Sequence, residues 1–590
     1  MLTTDKTITK ESLTDLVQKW GTSTFGIDFK YRPLQKECIV DIIWNWFNSH
    51  EDVILDAPTG SGKSFIAMAV AGVLSTYFGK KGYILISDLS LLQQYANDLE
   101  LYLPHWGVLR GQQTYTCAVN GFNFSVGACK LQGYKTYSEI ISNCQECAPY
   151  CEYLLAREKA MSAKVTVCTY TYWLLQQNFI RPRLKENAPF EKRDFVICDE
   201  AHKLLDIVQN HFSPRFSRED ITKISLVIDR MRIEKKEELK NAIKSQREQI
   251  RDTEDNKMLL EILDAYSSNI AKLAEQVEAI KNSISKDGKI VSKNDRTLLN
   301  ACEFVKEHYS KFNEYVSIIR SAGPDYLVKN AQQNSETIVF NCLNESYLMK
   351  RAFHNNAGVK LYMSATIGDP VAYSTEIAIS DYHHIKLPSV FDYSQSPIYY
   401  VNDYKMSYHE KDSSFPRIVE MIEGILTLYP NKRGIVQTGS YQFAKILLDM
   451  ISPKFKKRLL LYDDSRDKQE KLDDFKFSSN KVLVGPSLTE GLSLNDELCR
   501  FQIIMKVPYP SLADKYVAAK SKFNPKWYSN ATAITLLQGV GRGIRSSTDW
   551  CVTFILDACF GTLYSNCSKM FEGDFMNRIQ LIPGQSLVIK

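Results

Sequence analysis

Apolar residues along this chain follow two kinds of pattern, which change places along its length. Up to about residue 110, short apolar runs alternate with longer stretches of mixed polarity: VILDA, FIAMAVAGVL, YILIS and LLQQYANDLELYL. The short runs predict buried parallel strands, and the longer stretches predict the helices that cross between them. The rhythm resumes with KVTVCTY and DFVICDEAH, and again with KLYMSAT at 360–366. A second series fills roughly 371–590, with strand candidates RGIVQTGS, RLLLYD, KVLVGP, FQIIMKVP and WCVTFILD. Between about 206 and 345 strand runs largely vanish and charge density rises. Leu259, Leu263, Tyr266, Ile270, Leu273, Val277, Ile280 and Ile284 recur there at steps of four and three. That stripe predicts a long helix packed on another helix. The pattern predicts an α/β fold of two parallel-sheet domains, the first carrying a helical insert and a cysteine-rich insert.

Composition narrows the class. A chain of 590 residues exceeds one hydrophobic core and should divide into about three or four domains. Hydrophobic content of 44% and charged content of 24% are those of a soluble globular protein. No apolar run approaches the ~20 residues that cross a membrane. The opening MLTTDKTITKESL is polar and lacks a signal-peptide core. The expectation is therefore an intracellular protein, cytoplasmic or nucleoid/nuclear, whose 14 cysteines are not a disulfide framework. No segment marks an oligomer interface, and a monomer is expected. The net charge of +5 permits a nucleic-acid partner but confines any polyanion site to a local patch.

Chemistry first shows at Ala57-Pro58-Thr59-Gly60-Ser61-Gly62-Lys63-Ser64, between an apolar strand candidate and a helix candidate. A strand, a glycine-rich turn and a helix N-terminus form a cradle for nucleotide phosphates. Gly60 and Gly62 let successive N–H groups turn inward on one anion. Lys63 adds a mobile charge for the β- and γ-phosphates, and the Ser64 hydroxyl is placed to ligate Mg²⁺. The usual pattern opens with glycine, where this chain has Ala57.

The strand candidate at Asp194–Cys198 runs into Asp199-Glu200-Ala201-His202. A carboxylate at the end of a core strand suits the Mg²⁺ that bridges the phosphates, and Glu200 suits the activation of an attacking water. Phosphate loop and acidic box together predict a nucleotide hydrolase using ATP and Mg²⁺. In the second half, Gln538-Gly539-Val540-Gly541-Arg542-Gly543-Ile544-Arg545 predicts a helix bearing two arginines on nearly one face. Arginine forks suit a γ-phosphate and its transition state. Facing the phosphate loop across a cleft, Arg542 and Arg545 would let nucleotide state open and close two domains.

The insert after residue 110 holds Cys117, Cys129, Cys144, Cys147 and Cys151, the last three spaced C-x₂-C-x₃-C. Such spacing serves an iron–sulfur cluster or tetrahedral zinc, and spacing alone leaves both open. Cys168 and Cys198 lie in strand-like runs and read as buried apolar residues. The basic run Lys454, Lys456, Lys457, Arg458 reads equally as phosphate-tracking or as a solvated face. Tyr170, Tyr172 and Tyr441 suit base stacking, but among 32 tyrosines core packing is the better reading.

The order APTGSGKS, DEAH, SAT and QGVGRGIR resembles a superfamily 2 helicase, and more closely the XPD and DinG branch of iron–sulfur helicases. Arg32 and Gln35, in YRPLQ, stand where that branch uses an arginine and a glutamine around the adenine. RGQQTYTC at 110–117 resembles its cluster entry, and CEYLLAR at 151–157 its cluster exit. The resemblance implies two RecA-like domains and a [4Fe–4S] cluster in the cysteine insert. Cys117, Cys147 and Cys151 are the firmer ligands, while Cys129 and Cys144 compete for the fourth place. It implies domains at 1–110, 157–205 and 346–370 for the first helicase unit, interrupted by the cluster insert at 111–156 and an Arch-like insert at 206–345. The second unit is 371–590. Where the branch carries an aspartate in the motif TEGLSL, this chain has Ser493, which puts that coupling contact in doubt; Asp496 is nearby. The relatives' appended nuclease domain has no counterpart in this sequence.

The reading is an ATP-dependent helicase moving 5′→3′ on single-stranded or forked DNA. Lys63, Asp199, Glu200, His202, Gln538, Arg542 and Arg545 carry catalysis. The rivals are a translocase that strips proteins without unwinding and a zinc-containing nucleic-acid-binding scaffold.

Overall fold

The computed structural model describes residues 1–3, 8–131, 137–143, 148–184, 190–231, 233–284, 292–331, 336–389, 391, 393–463, 468–486, 488, 494, 496–541, 544 and 549–588. Its first strands are β1 (Asp52–Asp56), β2 (Gly82–Ile86), β3 (Gly107–Leu109), β4 (Val165–Thr169) and β5 (Phe195–Asp199). Then come β6 (Arg215–Phe216), β7 (Leu327–Ala331), β8 (Ile338–Cys342), β9 (Val359–Ser364) and β10 (Tyr382–Lys386). The second half adds β11 (Ile398–Tyr400), β12 (Gly434–Gln437), β13 (Leu459–Leu461), β14 (Val482–Gly485), β15 (Phe501–Ile504), β16 (Val552–Ile555) and β17 (Ile579–Leu581).

The first sheet has the order β10-β1-β9-β5-β2-β4-β3, and every pairing in it is parallel. Burial on both faces explains the unbroken apolar runs: β2, β5 and β9 are buried throughout. The registers bring three carboxyl ends together. Asp56 ends β1 opposite Ser364 of β9, and Asp199 ends β5 opposite Met363. In a parallel sheet this edge is where ligands bind. The strand β10 pairs with β1, so the first sheet extends past 370, where the sequence reading begins the second unit.

The second sheet, β13-β14-β12-β15-β16-β11-β17, is also parallel throughout. The chain thus has the expected fold class of two parallel-sheet α/β domains.

Between β5 and β9 the apolar stripe lies on the helix Asn256–Ile284, with Leu259 through Ile280 buried and Ile284 partly so. That helix packs along Lys293–Ala322, where Tyr266 Oη and His308 Nε2 meet at 2.7 Å. The sequence predicts a helical insert, but β6, β8 and β7 form a small antiparallel sheet at its base. The two inserts touch, with the Arg296 guanidinium 4.7 Å above the Phe122 ring.

The second half docks on that base through the helix Lys515–Phe523. Lys520 Nζ lies 2.6 Å from Glu345 Oε1 at 2% side-chain exposure. Tyr516 Oη donates to the same carboxylate oxygen at 2.6 Å, and Asn330 Nδ2 donates to Asp514 Oδ2 at 2.8 Å.

Candidate active site

The phosphate loop leaves β1 at Ala57, whose N–H donates to Ser364 O at 2.9 Å, and enters the helix Lys63–Tyr77. Gly60 and Gly62 have φ of +88° and +80°, so a side chain at either would strain the turn. Gly62 also lies under Gln35, whose Nε2 would stand 2.5 Å from a Cβ there. Gln35 Nε2 donates to Ser61 O at 2.7 Å, its Oε1 accepts the Arg32 N–H at 2.9 Å, and Arg32 Nη1 donates to Gly60 O. Arg32 and Gln35 therefore brace Gly60, Ser61 and Gly62 from behind. Lys63 Nζ donates to Ala57 O at 3.4 Å. Ser61 is buried with Oγ unpaired, a polar group in need of a ligand. The loop's curl, its lysine and that hydroxyl fit a polyphosphate.

Asp199 is buried where β5 ends. Its Oδ2 accepts the Tyr95 O–H at 2.9 Å, and its Oδ1 accepts the Glu200 N–H at 2.9 Å. Burial, then the neighbouring Glu200 charge, push its carboxyl up to about 6, against the pull of Lys63 and the Tyr95 hydrogen bond. A buried carboxylate facing a lysine, on the same edge as the Ser64 hydroxyl in the first turn of the helix Lys63–Tyr77, fits a divalent cation. Glu200 adopts φ +51°, a left-handed conformation uncommon for glutamate. Such strain persists where surrounding contacts enforce it; here the Tyr170 hydroxyl holds Asp199 O at 2.9 Å. Asp56, at the end of β1, is likewise raised by burial to about 6.

His202 joins three motifs. Its Nδ1 lies 2.8 Å from Ser364 Oγ and 3.4 Å from Glu200 Oε2. Its Nε2 lies 2.7 Å from Gln538 Nε2, which also donates to Thr366 Oγ1 at 3.1 Å. With Gln538 as donor, Nε2 accepts and the Nδ1–H points to Ser364, whose Oγ also accepts the Thr366 N–H at 3.1 Å. Gln538 comes from the second half, on the helix Pro525–Val540.

That helix is described as far as Val540. Arg542 and Arg545 themselves lie outside the described residues, as does Ser493. The Asp496 N–H donates to Asp549 Oδ2 at 3.1 Å. Tyr170 and Tyr172 are core residues, and Tyr441 is exposed. Arg458 donates to the carbonyls of Asn480, Leu426, Tyr429 and Lys432 at 2.7–3.1 Å, a structural role rather than a phosphate contact.

In the cysteine insert, Cys117 and Cys129 are buried and Cys151 precedes the helix Glu152–Ser162. Cys144 and Cys147 lie outside the described residues. Among the described residues no three Cys, His, Asp or Glu side chains gather as a metal centre. The backbone closes tightly on one thiol: a Cβ on Gly127 would stand 3.4 Å from Cys117 Sγ. Tyr115, Phe124 and Tyr153 share a core with Cys129, with Phe124 and Tyr153 ring centroids 4.2 Å apart. The thiol donor set suits iron–sulfur or zinc chemistry. Cys168 and Cys198 are buried strand residues, their thiols pushed up by burial, Cys168 to about 12.

Tyr95 and Phe391, which lies on Gly60, escaped the sequence reading. Tyr95 lies within an ordinary amphipathic run, LLQQYANDLELYL, and nothing local marks it.

The chain is similar to known proteins. A family described as type III restriction enzyme, res subunit, matches residues 28–216, and one described as helicase C-terminal domain matches 422–575. The ATP-dependent DNA helicase CHL1 of Saccharomyces cerevisiae is 21% identical over 481 residues, covering 69% of this chain and 54% of that protein. The protein of the same name from Debaryomyces hansenii is 24% identical over 204 residues, covering 28% and 25%. The chain therefore spans about half the length of the first of these relatives. A solved XPD helicase superposes with a TM-score of 0.60 at 19% identity, covering 94% of this chain and all of that one. S. tokodaii Xpd4 superposes at 0.59 and 16% identity, covering 93% of this chain and all of that one.

Proposed function

We propose that this chain is a superfamily 2 helicase of the XPD and CHL1 type, which hydrolyses ATP to move along single-stranded DNA and open forked duplexes. The observation that carries the reading is the Gln538–His202 contact, which ties the second sheet to the acidic box at 2.7 Å. Nucleotide chemistry at the first sheet is thereby felt in the second.

In this reading Lys63 and the loop N–H groups bind the β- and γ-phosphates, while Arg32 and Gln35 sit toward the adenine. Ser64 and Asp199 hold Mg²⁺, which screens the phosphate charge. Glu200 orients a water and accepts its proton. His202, Gln538, Ser364 and Thr366 relay the state of the site between the halves. Arg542 and Arg545 read the γ-phosphate from the second half.

The cysteine insert would hold a [4Fe–4S] cluster through Cys117, Cys147, Cys151 and one of Cys129 and Cys144. Such a cluster supplies a rigid covalent staple for a small insert. The contact between Arg296 and Phe122 joins this insert to the long helices. Beside those helices a cavity of about 610 Å³, lined by Asn178, Phe179, Ala274, Tyr309 and Asn313, separates them from the helical segment that follows β4. This arrangement supports strand separation at the inserts. The likeness to XPD and DinG enzymes supports 5′→3′ movement.

Two substrates test the reading. A 5′-tailed fork should open in the presence of ATP and Mg²⁺, and a 3′-tailed fork should not. Displacement of streptavidin from a biotinylated strand without any fork opening would identify a translocase instead.

A further inference from the structure

The linker between β10 and β11 carries Phe391, whose ring lies directly on the phosphate loop. A Cβ built on Gly60 would stand 2.3 Å from Phe391 Cζ, and all three of its nearest atoms belong to that ring. The same glycine accepts the Arg32 guanidinium through its carbonyl. Gly60 is thus held between a charged group and an aromatic ring.

Phe391 also packs against a small core of the second half that includes Leu488, Leu494 and Ile544. Leu494 closes the run Thr489–Leu494, and Ile544 lies between the two arginines of the run Gln538–Arg545. The ring meets Tyr393 edge-on at 6.4 Å, and Tyr393 lies under the Arg578 guanidinium at 4.6 Å. One side chain on the covalent link between the halves therefore touches both the phosphate loop and the second-half core that holds Leu494 and Ile544. Packed cores shift between discrete arrangements instead of deforming smoothly. A change in loop shape must then either carry the ring along or break its contacts.

We propose that Phe391 is a positioning residue that couples phosphate-loop occupancy to DNA binding by the second sheet. It touches no reacting atom; it transmits. The inference rests on the ATP- and DNA-binding reading above, and it places part of the coupling in the covalent link instead of in the Gln538–His202 bridge alone. Coupling between two sites of this kind amounts to about 5- to 150-fold in affinity.

The test is an equilibrium one on the full chain. The Kd of a fluorescent oligo-dT strand is measured with and without a non-hydrolysable ATP analogue. Wild type should show a ratio of at least about fivefold. Phe391→Ala should bring the ratio close to one while strand and analogue still bind separately. Phe391→Tyr, which keeps the ring, should restore it. Were the alanine variant unable to fold, Phe391→Leu keeps apolar volume without a ring face and should lose most of the ratio. An alanine or leucine variant with the wild-type ratio overturns the inference and leaves the functional reading standing. So does a wild type that binds both ligands with a ratio of one. A wild type that binds neither ligand overturns the functional reading itself, and this inference with it.

Discussion

Tyr95 gives its phenol proton to Asp199 Oδ2 at 2.9 Å, from a helix that begins at Leu89 on the neighbouring crossover. Both groups are buried. The bond favours the ionised carboxylate, the form a divalent cation needs, against the burial that raises its pKa to about 6.

Tyr95→Phe should therefore weaken Mg²⁺ use without emptying the site. A hydrogen bond to a charged group contributes about 1.5–3 kcal/mol. The Mg²⁺ concentration for half-maximal ATP hydrolysis should rise about tenfold at pH 7, with a smaller rise at pH 8.5, where the carboxylate is ionised in either protein. An unchanged Mg²⁺ titration would mean that the bond is only structural.

Gln538→Ala removes one contact between the halves, the one at the acidic box, together with the amide that donates to His202 Nε2. A loss of about 1 kcal/mol, or about fivefold in turnover, is expected, with ATP affinity nearly unchanged. Arg542→Ala and Arg545→Ala should cost turnover far more than ATP affinity, as groups acting in the transition state do. A rise in KM alone would make these residues ground-state binders.

Glu376 faces the docking helix Lys515–Phe523. Burial pushes its carboxyl up to about 8, Lys520 opposes this, and Glu345 and Asp206 add to it. A folded-state value above the ordinary 4.5 stabilises the fold fully below 4.5 and loses that contribution as pH rises through about 8. Glu376→Gln keeps the neutral shape, so its gain in Tm over wild type should grow from pH 5.5 to pH 8.5. Parallel Tm curves for the two proteins would contradict this.

Serine at Cys117, Cys147 or Cys151 should release iron, since a hydroxyl is a poor ligand beside a thiolate. Of Cys129 and Cys144, only one variant should do so. Loss of the cluster should abolish fork opening before ATP hydrolysis, because the phosphate site stands on the sheet and the cysteines on an insert. Iron per chain, measured beside both activities, checks this. Zinc in place of iron would reassign the insert.

The buried centre of each sheet was legible because strands covered on both faces are written as plain apolar runs; β1, β2, β4, β5 and β9 were all read, as were β12 to β16. The strands β3, β11 and β17 have three residues each and no continuous aliphatic run around them, whereas β13, equally short, is the leucine run Leu459–Leu461. The edge strand β10, Tyr382–Lys386, has no fully buried residue and reads as polar. The phosphate loop and DEAH box were legible because their chemistry is local in sequence. Tyr95, Phe391 and the Lys520–Glu345 pair were not, because each acquires its role only from a partner far away in the chain.

The central claim is that ATP turnover at Lys63 and Glu200 is coupled to a DNA strand. The most direct measurement is ATP hydrolysis by wild type, Lys63→Ala and Glu200→Gln, each with and without single-stranded DNA. Wild type should be stimulated by the strand. Lys63→Ala should be inactive, and Glu200→Gln should bind nucleotide yet lose about 10²–10⁴-fold in turnover, because an amide accepts no proton from water. Hydrolysis that ignores the strand, or that survives either substitution, would contradict the account.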